Sequence, residues 1–164
     1  MASKQTDNIE IERKFLVKTS EFKKYAERCI HVVQGYLLKS PDCTIRVRLW
    51  DNQGFITVKS KSSDDGLSRH EWENEIPLEK AKLLLELCDG GRIDKIRHII
   101  PFKSHIFEVD EFAGDHDGLI LAEVELQSPD EVVEYPDWIG EEVTGDIRYY
   151  NSYLCDHAWR MPQA

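Results

Sequence analysis

Charged residues alternate with apolar ones along nearly every strand-like segment of this chain of 164 residues. Successive side chains of a β-strand point to opposite faces of the sheet, so every second residue reports what one face meets. In the segment 44–50, Ile45 and Val47 fall on one face. Arg46 and Arg48 fall on the other. The alternation predicts a mainly β fold of the α+β class, with one apolar and one charged sheet face.

Eight segments have the composition and length of strands, and turn-forming residues separate several of them. Gly, Asp and Asn at residues 51–54, 64–66 and 114–118 supply the backbone conformations and local hydrogen bonds of tight turns. Most neighbouring strands are therefore predicted to pair as antiparallel hairpins. The predicted strands are Ile9–Val17, His31–Leu38, Thr44–Trp50, Gly54–Lys61, Ser68–Ile76, Arg92–Pro101, His105–Phe112 and Leu119–Leu126.

Three other segments carry apolar residues at helical spacing. Ser20 is suited to cap the first helix, and Gly90 and Gly91 are suited to end the second. We predict that these amphipathic helices cover the apolar face of the sheet. Their predicted bounds are Ser20–Cys29, Leu78–Cys88 and Asp146–Ala158.

The length, charge and cysteine pattern limit the kinds of protein this chain can be. The length predicts a single domain over residues 1–164, with residues 1–8 as a disordered extension. The net charge of −10 argues against binding nucleic acid through a basic surface. The four cysteines lack metal-ligand or redox spacing, and no apolar run reaches the roughly 18 residues of a membrane span. We expect a cytoplasmic monomer or homodimer without membrane or nucleic-acid partners.

The charges on the polar face are sorted by sign from strand to strand. A solvated face usually mixes signs, because cross-strand Lys–Glu pairs relieve repulsion between like charges. Here Glu10 and Glu12 stand together, as do Glu123 and Glu125, and such pairs are favourable when a cation lies between them. Paired cations invite a polyanion in the same way. A half-solvated sheet explains any single strand of this kind, but not the whole set.

The charged face would be explained if the eight strands closed into a barrel. The charged side chains then line the lumen, and the apolar side chains face outward beneath the helices. Carboxylates in the lumen suit a hard divalent cation such as Mg²⁺ or Mn²⁺, and basic strands suit phosphates. Closed in this way, the sheet would be an eight-stranded antiparallel closed β-barrel, a tunnel whose charged lumen suits a metal–polyphosphate complex, and the family resemblance described next implies this closure.

The residues also resemble a known family. Glu10-Ile11-Glu12-Arg13-Lys14 is similar to the E-x-E-x-K signature of the CYTH superfamily, the triphosphate tunnel metalloenzymes. The resemblance extends over residues 9 to about 155 and is greatest to the short bacterial members that act as inorganic triphosphatases. It implies an eight-stranded tunnel open at both ends. Further similar blocks are Arg46–Arg48, Thr57–Lys59, Gly66–Arg69, Phe107–Phe112, Ala122–Leu126 and Glu142–Tyr149.

The resemblance implies roles for individual side chains of the charged face. It implies catalytic roles for Glu10, Glu12 and Lys14, and Mg²⁺ or Mn²⁺ as cofactor. The implied metal ligands are Glu10, Glu12, Glu108, Asp110, Glu123 and Glu125. The implied phosphate-binding residues are Lys14, Arg46, Arg48, Lys59, Arg69, Lys95, Arg97 and Arg148. The expected reaction is hydrolysis of a small polyphosphate, inorganic triphosphate, to phosphate and diphosphate.

Other activities stay open on the sequence. A class IV-type adenylate cyclase would use the same cations and metal ligands to direct a ribose hydroxyl at the α-phosphate. A thiamine or nucleoside triphosphatase would differ in the organic part of its substrate. A non-catalytic polyphosphate-binding module would keep the cations, but it gains nothing from Glu10 and Glu12 in its lumen.

Overall fold

Nine antiparallel strands form one sheet, and eight of them close into a barrel. The computed structural model describes residues 6–159 of the chain. The strands are β1 (Thr6–Val17), β2 (Arg28–Lys39), β3 (Cys43–Trp50), β4 (Gln53–Ser60), β5 (Ser68–Ile76), β6 (Asp89–Phe102), β7 (His105–Phe112), β8 (Ile120–Glu125) and β9 (Ile139–Glu142). Around the barrel their order is β1, β5, β4, β3, β2, β6, β7 and β8, and β8 pairs with β1 again.

The predicted eight-stranded barrel is confirmed, and β1 is the strand that closes it. Residues Thr6–Ile11 of β1 pair with β5, and residues Glu12–Leu16 pair with β8. The ninth strand, β9, pairs with the end of β1 and was not predicted. Because β1 begins at Thr6, it includes three residues that the sequence assigned to an N-terminal extension, whereas residues 1–5 lie outside the described part.

One of the three predicted helices forms a regular α-helix of the expected length. Helix α1 (Leu78–Leu87) matches its prediction within one residue, although the two glycines expected to end it lie in β6. The first predicted helix is a short 3₁₀ segment, Ser20–Tyr25, because β2 begins at Arg28. The cap of this segment is Thr19, whose hydroxyl accepts a hydrogen bond from the backbone, and not Ser20.

The predicted C-terminal helix is interrupted in the middle. A 3₁₀ turn at Ile147–Tyr149 and the short helix α2 (Asn151–Leu154) flank Tyr150, whose backbone is extended. Asp146 caps the 3₁₀ turn by accepting a hydrogen bond from the backbone of Arg148. The interruption turns the side chains that follow it toward the lumen.

Apolar side chains on the outer face of the barrel pack beneath the helical segments, as predicted. Phe22 of the 3₁₀ segment and Trp138, which precedes β9, are buried against the outward residues of β7 and β8. Helix α1 buries Ala81 and Leu85 against Val47 of β3. This burial of apolar surface stabilises the barrel from outside. Within residues 6–159, no helix is both long enough and apolar enough to cross a membrane.

The lumen is apolar at one end, and the C-terminal segment closes that end. Leu154 packs there, and the segment is tied to the strands by two lysines. Lys14 Nζ donates to the Tyr149 carbonyl oxygen at 3.1 Å, and Lys95 Nζ donates to Asn151 Oδ1 at 3.0 Å. The C-terminal segment thus covers this end of the lumen. The inward apolar residues at this end are Tyr36, Ile93, Phe112 and Leu121.

Candidate active site

A cavity of about 250 Å³ occupies the charged part of the lumen. The predicted charged lumen is thus present, because alternate residues of the strands point into one enclosed space. Its carboxylates are Glu10, Glu12, Glu71, Glu73, Glu108, Glu123 and Glu125. Its cations, which we call the cation clamp, are Lys14, Arg46, Arg48, Lys59, Arg69 and Arg97.

Carboxylates of β1, β7 and β8 meet on one side of the cavity. The strand register places Glu12 directly opposite Glu125, and Glu108 directly opposite Glu123. Like charges in these positions repel each other. Lys14 Nζ lies 3.4 Å from Glu123 and offsets part of this repulsion. We call this group the acidic wall, and its members are Glu10, Glu12, Glu108, Glu123 and Glu125.

Glu10 and Glu12, two residues apart on β1, have opposite electrostatic surroundings. Burial would raise the pKa of Glu10, but attraction to Lys59, whose Nζ lies 2.8 Å away, and hydrogen bonds from Glu71 and Glu12 together outweigh burial and lower it well below its usual value. Burial, and then repulsion from Glu123 and Glu10, raise the pKa of Glu12 well above its usual value. A cation placed beside Glu12 would therefore relieve more repulsion than one placed beside Glu10.

The arginines of the cation clamp are packed more closely than their counter-charges can balance. Glu73 lies 3.0 Å from Arg48 Nη2 and 3.6 Å from Arg46 Nη2. Burial, and then repulsion from Arg46 and Arg97, lower the pKa of Arg48 to about 9. The Nε atoms of Arg46 and Arg48 are buried without a hydrogen-bond partner. Such a cluster gains when a polyanion enters, since phosphate oxygens can accept from several guanidinium groups at once.

Asp110 does not line the cavity, and its carboxylate pairs with two buried cations. Arg97 donates to its two oxygens at 2.8 Å and 2.9 Å, and Lys95 Nζ lies 2.7 Å away. Burial would raise the pKa of Asp110, but Arg97 and then Lys95 outweigh burial and hold it at about 2. In the structure, Asp110 is thus a buried counter-ion of Arg97 and Lys95, and it does not line the cavity. Lys95, a predicted phosphate-binding residue, likewise lies outside the cavity lining.

Arg148, another predicted phosphate-binding residue, also lies outside the cavity lining. Its side chain is 70% exposed and pairs with Asp146, at 2.7 Å between Nη2 and Oδ2. It lies in the 3₁₀ turn before the chain enters the lumen, and it does not line the cavity. The predicted phosphate-binding role of Arg148 therefore has no support in its placement.

Several lining residues were missed by the sequence analysis. Thr44 and Trp50 continue the alternation of Arg46 and Arg48 along β3, so the same period could have found them. Tyr150 and its two successors reach the cavity through the interrupted C-terminal helix, which helical spacing concealed. The missed lining residues are Tyr36, Thr44, Trp50, Tyr150, Asn151 and Ser152.

The acidic wall has the donor chemistry of a hard divalent cation. Its donors are all carboxylate oxygens, the ligands that such a cation prefers. In the described part of the chain, no three His, Cys, Asp or Glu side chains already surround one point as a metal site. The carboxylate oxygens of the wall fit a cation such as Mg²⁺, which takes one or two carboxylates and completes its shell with waters and substrate phosphates.

Sequence relatives of this chain are known. Residues 8–151 match the CYTH domain. A protein named inorganic triphosphatase from Acetivibrio thermocellus is 43% identical over 152 residues, which cover 92% of this chain and 96% of the relative. A protein of the same name from Nitrosomonas europaea is 39% identical over 153 residues, which cover 88% of this chain and 95% of the relative.

The fold has a counterpart among solved structures. The crystal structure of the inorganic triphosphatase NE1496 superposes with a TM-score of 0.64 at 34% identity, over 94% of this chain and 95% of that chain. The CYTH match begins within β1 and ends at the start of α2, so it contains the whole closed barrel and the cavity lining up to Asn151. Because the domain match and both relatives cover most of its length, the chain belongs to the CYTH domain family.

Proposed function

We propose that the chain hydrolyses inorganic triphosphate to phosphate and diphosphate in the barrel lumen, with a divalent cation. The observation that carries the proposal is a single cavity that the acidic wall and the cation clamp line together. This combination provides oxygen ligands for a cation and positive charge for a polyanion in the same space. The names of the two relatives, both inorganic triphosphatases, support the same substrate.

Glu10, Glu12 and Glu123 are the residues that would hold the divalent cation, with Glu108 and Glu125 beside them. Mg²⁺ and Mn²⁺ both suit carboxylate oxygen ligands. When bound, such a cation neutralises charge on phosphoryl oxygens and so lowers the barrier to attack by water.

The chain's own cations bind and orient the triphosphate. Arg97 is fixed before substrate arrives, because Asp110 and Glu108 hold its guanidinium group at 2.8 Å and 2.6 Å. Arg46 and Arg48 present planar guanidinium groups that can each grip two phosphate oxygens. Cations held in place stabilise the charge that develops during in-line transfer of the terminal phosphoryl group to water, which is the main source of catalysis in such reactions.

Lys14 lies where the acidic wall meets the cation clamp. Its ammonium group is 3.4 Å from Glu123 and donates to the Tyr149 carbonyl oxygen. Because a lysine has three N–H donors, these two contacts leave one for a phosphate oxygen. We assign Lys14 the role of stabilising the diphosphate as it leaves.

The cavity favours a substrate without an organic group. Its volume of about 250 Å³ is lined mainly by charged side chains, and an apolar plug closes one end. The aromatic rings of Trp50 and Tyr150, which line the cavity, already contact Arg48 and Lys14 of the clamp. A nucleoside or thiamine group would have to stay at the open mouth of the barrel, with few contacts to recognise it.

Turnover assays with three substrates test the proposed function. The purified protein is incubated with inorganic triphosphate, ATP or thiamine triphosphate, with Mg²⁺, with Mn²⁺ and with a chelator. We expect metal-dependent release of phosphate and diphosphate from inorganic triphosphate, with much slower turnover of the other two. Cyclic AMP formed from ATP would identify a cyclase instead. Tight binding of triphosphate without turnover under any metal would identify a binding module.

Substitutions of Arg48, which lines the cavity, and of Arg148, which does not, test whether the cation clamp binds the substrate. We expect Arg48→Met to raise KM for triphosphate by about 10- to 100-fold, since a buried charged partner of the phosphate is lost. We expect Arg148→Met to leave KM within about twofold, because Arg148 is exposed and outside the cavity. Steady-state kinetics of both variants provide the measurement. Equal effects of the two substitutions would contradict the placement of the clamp.

A further inference from the structure

Trp50 lies against two arginines of the cation clamp. The Cζ atoms of Arg48 and Arg97 are 4.8 Å and 5.5 Å from the centroid of its ring system. Arg97 belongs to β6, which is separated from β3 by β2, and the β2 partner of Trp50 is the buried Val32. The Trp50 ring therefore spans an apolar gap between the two strands that carry these arginines.

Tyr150 has the same relation to two other cations of the clamp. Lys14 Nζ and Arg69 Cζ lie 5.4 Å and 5.7 Å from the centroid of its ring. Lys14 belongs to β1 and Arg69 to β5, whereas Tyr150 comes from the C-terminal segment that enters the lumen. Two rings thus contact four of the six cations in the clamp.

An aromatic ring is a suitable partner for a cation that must later bind phosphate. The electron-rich face attracts the cation, and the attraction is largest where water is excluded. A carboxylate in the same place would neutralise the cation and compete with the phosphate. Lys14, Arg48 and Arg97 already pair with carboxylates, and a neutral ring restricts their positions further without adding another negative charge.

We propose that Trp50 and Tyr150 are positioning residues of the cation clamp, and that each ring fixes the spacing of two cations before the triphosphate binds. This inference rests on the proposed triphosphatase function. Prepositioned cations strengthen binding of the substrate and of the transition state alike, so loss of a ring changes KM far more than kcat. Phenylalanine retains an aromatic face and should restore most of the effect.

Four variants test the inference: Trp50→Leu, Trp50→Phe, Tyr150→Leu and Tyr150→Phe. We expect each leucine variant to raise KM for triphosphate about tenfold with kcat within about threefold. We expect each phenylalanine variant to stay within about threefold of the unmodified KM. The control is Tyr25→Leu, which removes a ring that is 60% exposed outside the lumen. Thermal unfolding of every variant measures the folded fraction.

Three results would overturn the inference. These are an unchanged KM in the leucine variants, a fall in kcat that only follows the loss of folded protein, and phenylalanine variants as impaired as the leucine variants. Calorimetric titration with triphosphate separates this inference from the proposed function. If the unmodified protein binds triphosphate without hydrolysing it, the triphosphatase proposal fails. The ratios of Kd among the variants then decide the role of the rings.

Discussion

Replacement of Glu12 by Gln should abolish most of the activity and yet stabilise the folded protein when metal is absent. We expect kcat/KM for metal-dependent hydrolysis of triphosphate to fall on the order of 10²- to 10³-fold, because the acidic wall loses a ligand for the cation. Burial, and then repulsion from Glu123 and Glu10, raise the pKa of Glu12, so keeping a carboxyl group that can ionise at this place costs stability above its unfolded pKa. An uncharged amide removes that repulsion, and we expect roughly 1–3 kcal/mol of added stability in a chelator.

Two measurements check the Glu12 prediction. Steady-state kinetics with Mg²⁺ or Mn²⁺ report the activity, and urea unfolding in the presence of a chelator reports the free energy of unfolding. Glu141→Gln is a matched control, because Glu141 is exposed on β9 and outside the cavity. Unmodified activity in the Glu12 variant would remove Glu12 from the metal site. A loss of stability in the chelator would show that its charge is compensated.

Replacement of Asp110 by Asn should have the opposite effect on stability. Asp110 is the shared counter-ion of Arg97 and Lys95, and all three side chains are buried. Removing its charge leaves two buried cations with too little compensation, which typically costs about 3–5 kcal/mol. We expect urea unfolding at pH 7 to show a loss of that size, with lower activity as a consequence of a displaced Arg97.

The pH dependence gives the Asp110 prediction a second test. The pKa of Asp110 in the folded protein is about 2, below the unfolded value of about 3.9. Its contribution to stability is therefore complete above the unfolded value and lost as the pH falls through about 2. The stability difference between the two proteins should narrow on acidification below pH 4, whereas the exposed control Asp137→Asn should change little at any pH. If the Asp110→Asn variant bound the metal more weakly but kept its stability, Asp110 would be a metal ligand and not a buried counter-ion.

The alternation of charged and apolar residues predicted the strands and the charged sheet face, and the family resemblance supplied their closure into a barrel. The bounds of β5 and β7 are those expected from the sequence, because the alternating pattern and the neighbouring turn residues mark the same ends. Which residues enter the lumen depends only on whether a position is odd or even along a strand. This alternation predicted that Glu12 and Arg48 face the lumen. It also places Trp50 there, but the charge pattern did not indicate this residue because tryptophan is uncharged.

The part each lumen residue plays depends on strand register, which alternation does not contain. Glu108 and Asp110 have the same parity on β7, yet Asp110 lies opposite Arg97 and Glu108 lies opposite Glu123. Asp110 is therefore buried between Arg97 and Lys95, whereas Glu108, which also pairs with Arg97, stands beside Glu123 in the acidic wall. The strand β9 could not be predicted from the sequence for a related reason. Its four residues contain Gly140 and two acids, and they form a strand because β1 offers them backbone partners.

The C-terminal segment shows how tertiary contacts override local spacing. Apolar residues of the segment recur at helical intervals, which predicted one helix. The chain instead extends at Tyr150, so that the ring meets cations of the lumen and Asn151 meets Lys95. These partners come from strands more than fifty residues earlier in the sequence, and no local pattern contains them.

The seam between β1 and β8 makes the barrel slow to complete. It pairs Glu12 with Glu125, residues at opposite ends of the barrel sequence. Contacts of such long range form late in folding, because closing a long loop costs chain entropy before any contact is gained. At this seam the chain must also bring together carboxylates that repel each other. We therefore expect an ion that balances those charges to act on the folding kinetics as well, by lowering the barrier to the last strand pairing.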